Sequence, residues 1–173
     1  MKRIILSVVL YISIFTGFSY CQLKIGYIDT KTILSKLQDA QDAQQKLDAI
    51  IKDWQNELNK LEDQKKAMQD DYDKRRLIMT DQTRTDMEDK IKDLNQQIND
   101  YREKKFGVKG ELFKEQEDLM KPVQNKIFTA IEDVAKDQDL DFVFDRSNAP
   151  VLLYAKDKYD ITSLVMDKLK LQQ

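Results

Sequence analysis

The residues of this sequence that could do chemistry are carboxylates in adjacent pairs. Asp70-Asp71, Glu117-Asp118 and Glu132-Asp133 each place two acidic side chains next to each other. Such a pair can serve general acid–base catalysis when its surroundings separate the two pKa values. These pairs lie within long charged runs, which are usually solvated helix faces, and no pocket or oriented partner accompanies them in the sequence. We therefore predict that the protein is not an enzyme.

The sequence lacks the residues that form the common metal sites and the common nucleophilic catalytic sites. The 173 residues contain no His and one Cys, Cys21. This composition excludes His-based catalytic triads and the His- and Cys-rich zinc sites, and a disulfide within the chain is impossible. We expect neither a cofactor nor a metal.

Residues 1–21 have the pattern of a targeting segment. Lys2 and Arg3 precede an uncharged, mostly apolar run from Ile4 to Phe18, which is shorter than the roughly 20 residues of a membrane span. Small residues at Ser19 and Cys21 predict a Sec-type signal peptide cleaved near Cys21, with the mature protein in the periplasm. The alternative is a lipoprotein with Cys21 acylated, although Tyr20 is bulky for that signal.

The mature chain is acidic. The full sequence has 29 basic and 31 acidic residues, and Lys2 and Arg3 leave with the signal, so the mature chain has 27 basic residues against 31 acidic ones and a net charge of −4. Nucleic-acid binding normally needs a basic surface. We expect no nucleic-acid partner.

Long helices must hold most of the charged residues. The 80 residues from Tyr27 to Phe106 contain no Gly and no Pro, which turns usually recruit. Within them, alternating steps of four and three follow a coiled-coil seam, in which ten of twelve positions are apolar. The positions are Ile33, Leu37, Ala40, Gln44, Leu47, Ile51, Trp54, Leu58, Leu61, Lys65, Met68 and Tyr72.

A second seam returns in the same register. Its positions are Met87, Ile91, Leu94, Ile98, Tyr101, Lys105, Val108 and Leu112. Tyr72 pairs with Met87, and every further layer pairs without a slip, down to Leu47 with Leu112. We predict an antiparallel helical hairpin over residues 33–122, with its turn near 79–80. Two surface helices of a closed bundle are the alternative, but the stripes are narrow for that.

Two segments of the hairpin stand out. Gly107 and Gly110 interrupt the return helix, which indicates a hinge or a tolerated weak point. The tip is basic and apolar, and it either contacts client chains or the membrane surface, or merely caps the seam. The tip residues are Lys74, Arg75, Arg76, Leu77, Ile78, Met79 and Arg84.

Residues 22–32 and 123–173 are expected to form a β-containing oligomerisation body. Its predicted strands are Leu23 to Ile28, Phe142 to Phe144 and Val151 to Ala155, and a last helix follows Asp160. Three short apolar strands cannot close a barrel by themselves. We therefore expect self-association; the three strands do not fix the number of copies.

The mature chain resembles the Skp/OmpH family of periplasmic chaperones. The resemblance is carried by IGYIDTKTIL after the leader, by the polar hairpin and by the ending DFVFDRSNAPVLLYAKDKYDITSLVMDKL. It implies an α+β, mainly α fold, in which a coiled-coil tentacle stands on a β body that forms a trimeric barrel. Unlike the strongly basic better-known members, this chain has a sequence pI near 5.3.

The resemblance also implies a function. It predicts an ATP-independent holdase that keeps unfolded outer-membrane proteins between its tentacles during transit. By position, the oligomer body would include Ile25, Tyr27, Phe142, Phe144, Leu152 and Tyr154. The alternative is a structural or adaptor coiled-coil protein of the envelope that docks one folded partner.

Overall fold

A computed structural model gives the structure of residues 23–147 and 152–171. The predicted leader and Cys21 lie outside these residues. In chain order the elements are strand β1 (Ile25–Ile28), helices α1 (Thr30–Lys36), α2 (Gln38–Arg75), α3 (Asp81–Phe106) and α4 (Glu111–Asp137), strand β2 (Phe142–Asp145), a 3-10 helix (Asp157–Tyr159) and helix α5 (Thr162–Leu171). The predicted mainly helical α+β class is confirmed. None of the helices in the described ranges has the length and apolar content needed to cross a membrane.

Asp29 caps the start of helix α1. The Asp29 carboxylate accepts a hydrogen bond from the Thr32 N–H at 2.9 Å, which satisfies a donor of the first turn. The helix ends at Lys36, and the next residue, Leu37, has a ψ of 122°, which is extended rather than helical. The predicted seam runs through Leu37 unbroken, whereas the structure starts a new helix there. Both Ile33 and Leu37 join the buried core of the body.

Helices α2 and α3 form the predicted long antiparallel hairpin. With 38 residues, α2 is roughly 57 Å long. Two hydrogen bonds between the helices lie within one residue of the predicted layers, since Tyr72 donates to Glu88 and Lys65 donates to Asn95. Leu58, Leu94 and Ile98 are at most 9% exposed and form a small apolar core inside the hairpin. The turn between the helices comprises residues 76–80.

The return limb is not one continuous helix. Helix α3 ends at Phe106 and α4 starts at Glu111, and Val108 between them is 93% exposed. The predicted layer of Val108 against Ile51 is therefore wrong. The glycines on either side of Val108 allow the backbone to leave the helical path, so the seam periodicity at this point does not produce packing.

The main core lies where α1, the start of α2, α4 and α5 meet. Its central side chains are Ile33, Ala130 and Val165, each fully buried. Helix α4 reaches the core through Val123, Ile127 and Val134, which follow a globular helix spacing. Pro122 lies inside α4 without ending it.

A parallel two-stranded sheet closes the body. Ile25 of β1 pairs with Phe142 of β2, and the register continues to Ile28 opposite Asp145. The other edge of β1 contacts Asp160 through a single bridge at Tyr27, and the N–H of Ile161 donates to the Tyr27 carbonyl at 2.9 Å. That segment takes the place of a third strand.

The predicted strand over Val151 to Ala155 is wrong in its described part, because residues 152–155 form no strand. Leu153 and Tyr154 are 94% and 80% exposed. An apolar run becomes a strand only when a neighbouring strand supplies hydrogen bonds. Within the described chain β2 already lies against one edge of β1, and the bridge at Asp160 occupies part of the other.

Candidate functional site

The six predicted body residues lie together. Five of them (Ile25, Tyr27, Phe144, Leu152 and Tyr154) line one open groove of about 390 Å³. Phe142 stacks on Phe144 with ring centroids 6.5 Å apart, because alternate residues of a strand share a face. Their role in an oligomer stays a prediction.

Exposure distinguishes the members of this group, which we name the body face. Phe142, Phe144 and Ile25 are 53%, 49% and 41% exposed, although their residue types usually lie inside. Tyr27 instead is buried, and the Arg146 guanidinium lies 5.6 Å from its ring centroid. In a single chain the body face therefore exposes aromatic and aliphatic side chains to solvent, while the buried Tyr27 lines the groove.

Asp145 joins the sheet to α1, a role that was not predicted from the sequence. Its Oδ1 accepts hydrogen bonds from the N–H of Thr30, the first residue of α1, and from the N–H and hydroxyl of Ser147. Partial burial raises the pKa of this carboxyl, but the hydrogen bonds from Ser147 and Thr30 outweigh burial and lower the pKa to about 2. The Asp-x-Ser pattern after a strand is a signal that could have indicated this turn.

The tip of the hairpin is the turn at residues 76–80 with its flanking residues. Arg75 forms an ion pair with Asp71 at 3.1 Å, and Arg84 lies 3.5 Å from Asp81. Lys74 and Arg76 form no ion pair within the described ranges.

The apolar tip residues differ in their burial. Leu77 and Ile78 are 89% and 84% exposed, whereas Met79 is half-buried. Thr80 caps the start of α3, and its side chain accepts a hydrogen bond from the Thr83 N–H. The structure therefore places Leu77 and Ile78 in contact with solvent at the end of the hairpin.

Gly107 and Gly110 bound the interruption between α3 and α4, which we name the elbow (residues 107–110). A Cβ atom on Gly107 would lie 2.3 Å from the Glu103 carbonyl oxygen. A Cβ on Gly110 would lie 2.9 Å from the Lys105 carbonyl oxygen. Neither glycine has a positive φ. The elbow needs glycine because the backbone approaches itself closely there.

The carboxylate pairs lie on helix surfaces. Asp71, Glu117 and Glu132 each form an ion pair with a basic residue four positions further on, namely Arg75, Lys121 and Lys136. The hydrogen bond from Lys136 lowers the pKa of Glu132 below its ordinary value. Within the described residues no three His, Cys, Asp or Glu side chains are grouped closely enough to hold a metal ion.

This fold defines a class of proteins in which a small α+β body carries a long helical hairpin. Within that class, the chain belongs to the OmpH-like outer membrane protein family, because the family described as "Outer membrane protein (OmpH-like)" matches residues 24–169. The predicted resemblance to this family is confirmed.

A crystal structure from Caulobacter crescentus CB15 shows the same fold. It aligns with a TM-score of 0.72 and 14% sequence identity over 92% of this chain and 91% of that chain. The Caulobacter protein is described as an outer membrane chaperone candidate (OmpH-like), solved at 2.83 Å resolution. No curated protein matches the chain.

Proposed function

We propose that this protein is an ATP-independent holdase chaperone of the periplasm that binds unfolded outer-membrane proteins and prevents their aggregation. The observation that carries the proposal is the family match over residues 24–169, on a chain with the corresponding helical hairpin. The description of the Caulobacter protein as an outer membrane chaperone candidate agrees with it. Export by the leader at residues 1–21 is part of the proposal.

The proposed working form is a homotrimer joined through the body, which comprises residues 22–32 and 123–173. The exposed Phe142, Phe144 and Ile25 of the body face support self-association, because a second and third copy would remove this apolar surface from water. The three hairpins (residues 33–122) would then enclose a space for the client.

Weak contacts at many points suit this function. A holdase must bind many sequences and release them without chemical energy, and several shallow contacts on separate arms provide avidity without a deep pocket. An open groove on the distal hairpin has a volume of about 680 Å³. It is lined by both apolar and charged side chains, including Met68, Met87 and Lys90. Flexible methionine side chains adapt to varied partners.

The decisive experiment uses the mature chain from Gln22 and several unrelated unfolded β-barrel proteins. Each client is diluted from urea, and its light scattering is followed with and without the protein. We expect suppression of scattering for all clients at near-stoichiometric ratios, with no effect of added ATP. If scattering is unchanged while the protein binds one folded envelope component in a fixed ratio, the adaptor alternative replaces the chaperone proposal.

The tip is proposed as one contact site for clients or for the membrane surface. Leu77, Ile78 and Met79 lie beside the basic residues, Lys74 and Arg76 among them, so the tip can contact apolar and anionic groups together. Changing all three apolar residues to Ser should weaken client retention severalfold, because each loses apolar contact area. Retention is measured by client dissociation at constant protein concentration.

The control is Val108→Ser, which removes one exposed apolar side chain outside the tip, between α3 and α4. Circular dichroism verifies that the helices of each variant are intact. Equal retention by the triple variant and the unmodified chain would remove the tip from the proposal and leave the chaperone function to be judged by the aggregation assay.

A further inference from the structure

Three elements meet at the elbow through one lysine. Lys105, in the last turn of α3, forms an ion pair with Glu111, the first residue of α4. The neighbouring Lys104 lies 3.6 Å from the same carboxylate. The two helices that the elbow separates are thus linked by charge as well as by backbone.

The third element is α2, which passes the elbow as an unbroken helix. The Lys105 ammonium lies 4.4 Å from the ring centroid of Trp54 on α2, and the Phe106 ring meets Trp54 edge to face at 6.0 Å. Only 18% of the Lys105 side chain is exposed, so its cation–π and ionic contacts are partly shielded from water. Trp54 is the single tryptophan of the chain.

The elbow separates two apolar clusters. The hairpin cluster is centred on Leu58, Leu94 and Ile98, and the body cluster on Ile33, Ala130 and Val165. The ammonium–carboxylate pair lies at the junction where α3 gives way to α4. Polar contacts of this kind are rearranged at lower cost than a packed apolar core.

We propose that Lys105 is the latch of a joint between the hairpin and the body. In the closed state of this structure, Lys105 holds α4 through Glu111 and α2 through Trp54. In the open state Lys105 leaves both partners, the elbow loosens, and the hairpin changes its direction relative to the body by bending α2 near Trp54. This device goes beyond the proposed function, because it is a property of the single chain and requires no client.

The test compares Glu111→Gln with Glu117→Gln in the mature chain. Both remove one carboxylate charge from α4, but Glu117 pairs with Lys121 inside the helix, away from the elbow. We expect Glu111→Gln to speed amide exchange at Gly107 and Gly110 roughly threefold to tenfold, and to increase acrylamide quenching of Trp54 fluorescence. Glu117→Gln should change neither quantity.

Lysine variants separate the latch from simple packing. Lys105→Arg retains a cation for both partners and should behave as the unmodified chain does, whereas Lys105→Met keeps an apolar cover on Trp54 without the charge. We expect Lys105→Met to reproduce the fast exchange of Glu111→Gln. Slow exchange in Lys105→Met would show that packing alone closes the elbow, and it would overturn the proposal.

Spin labels report the change of direction. Cysteines replacing Gln82 near the tip and Ser163 on α5 carry the labels, and an excess of unlabelled protein removes distances between chains. We expect a broader distance distribution in Glu111→Gln than in Glu117→Gln. Identical distributions, or equal exchange rates in the two variants, would contradict a joint, and neither result depends on client binding.

Discussion

At the scale of single residues, Asp145 connects the end of β2 to the start of α1. Its carboxylate receives N–H groups from Thr30 and Ser147, and the unpaired donors and the dipole at the start of a helix favour a negative charge. The interaction also explains why its pKa is low, at about 2, despite partial burial. The residue therefore stabilises the body as an anion.

We expect Asp145→Asn to lower the free energy of unfolding by about 1–2 kcal/mol at pH 7, after allowance for solvent screening of a partly exposed group. The folded pKa is depressed, so the contribution is complete above about pH 5, where the unfolded carboxyl is almost fully ionised. It disappears as the pH falls through about 2. Urea unfolding at fixed protein concentration, at pH 7 and pH 2.5, measures the difference.

Asp139→Asn is the control for this prediction. Asp139 pairs with Lys24 on the surface, and 88% of its side chain is exposed, so its loss should have little effect. A constant stability difference between the Asp145 variant and the unmodified chain at both pH values would contradict the role of the charge.

At the scale of elements, the hairpin has two parts with different packing. The distal part buries a narrow seam between two helices, with Leu58 against Leu94 and Ile98. The proximal part of α2 packs Ala40 and Ala43 into the body core. On the return limb, the distal and proximal parts of the hairpin meet at the elbow, where four non-helical residues separate α3 from α4.

Gly107→Ala tests whether the elbow is a tight, non-helical turn. Inside a helix, alanine would stabilise relative to glycine by about 1 kcal/mol. Here the added Cβ would approach the Glu103 carbonyl to 2.3 Å, which only a backbone shift can relieve. We expect a loss of about 1–3 kcal/mol in the free energy of unfolding, measured by urea titration.

Lys109→Ala serves as its control, since Lys109 lies in the same turn and is exposed. Increased stability of Gly107→Ala would mean that the return limb is helical through the elbow, as the seam periodicity predicts.

At the scale of the whole molecule, one chain leaves apolar surface uncovered at a defined place. The body has a closed core with Val165 and Leu169 from α5, yet Phe142 and Phe144 point out of its sheet. Interfaces between subunits commonly cover surfaces of this kind. The body face is therefore the part of the molecule where assembly and fold are most directly coupled.

We expect Phe142→Ser combined with Phe144→Ser to dissociate the oligomer, because each change removes aromatic area from the proposed interface. Light scattering coupled to size exclusion should report three chain masses for the unmodified protein and a smaller mass for the variant. Leu77→Ser with Ile78→Ser removes two exposed apolar side chains from the tip, outside the body, and should leave the mass unchanged. A single chain mass for the unmodified protein would reject the trimer.

The sequence predicted what depends on local periodicity. Leu58 belongs to the first heptad seam, and Leu94 and Ile98 belong to the second. Each narrow apolar seam is buried by packing against the other, so the hairpin followed from the pattern. Gly107 and Gly110 marked the interruption without indicating its form. The same periodicity misplaced Val108, because a repeat takes no account of a backbone that leaves the helix.

What the sequence determined by itself is the pair of long helices and the family to which they belong, since both depend on residue types at regular short spacing. Only the tertiary structure decided that Asp145 binds the start of α1, that Lys105 joins three elements, and that residues 152–155 form no strand. These features depend on residues distant in the chain that supply, or fail to supply, a hydrogen bond or a charge, and spacing along the sequence contains no information on such partners.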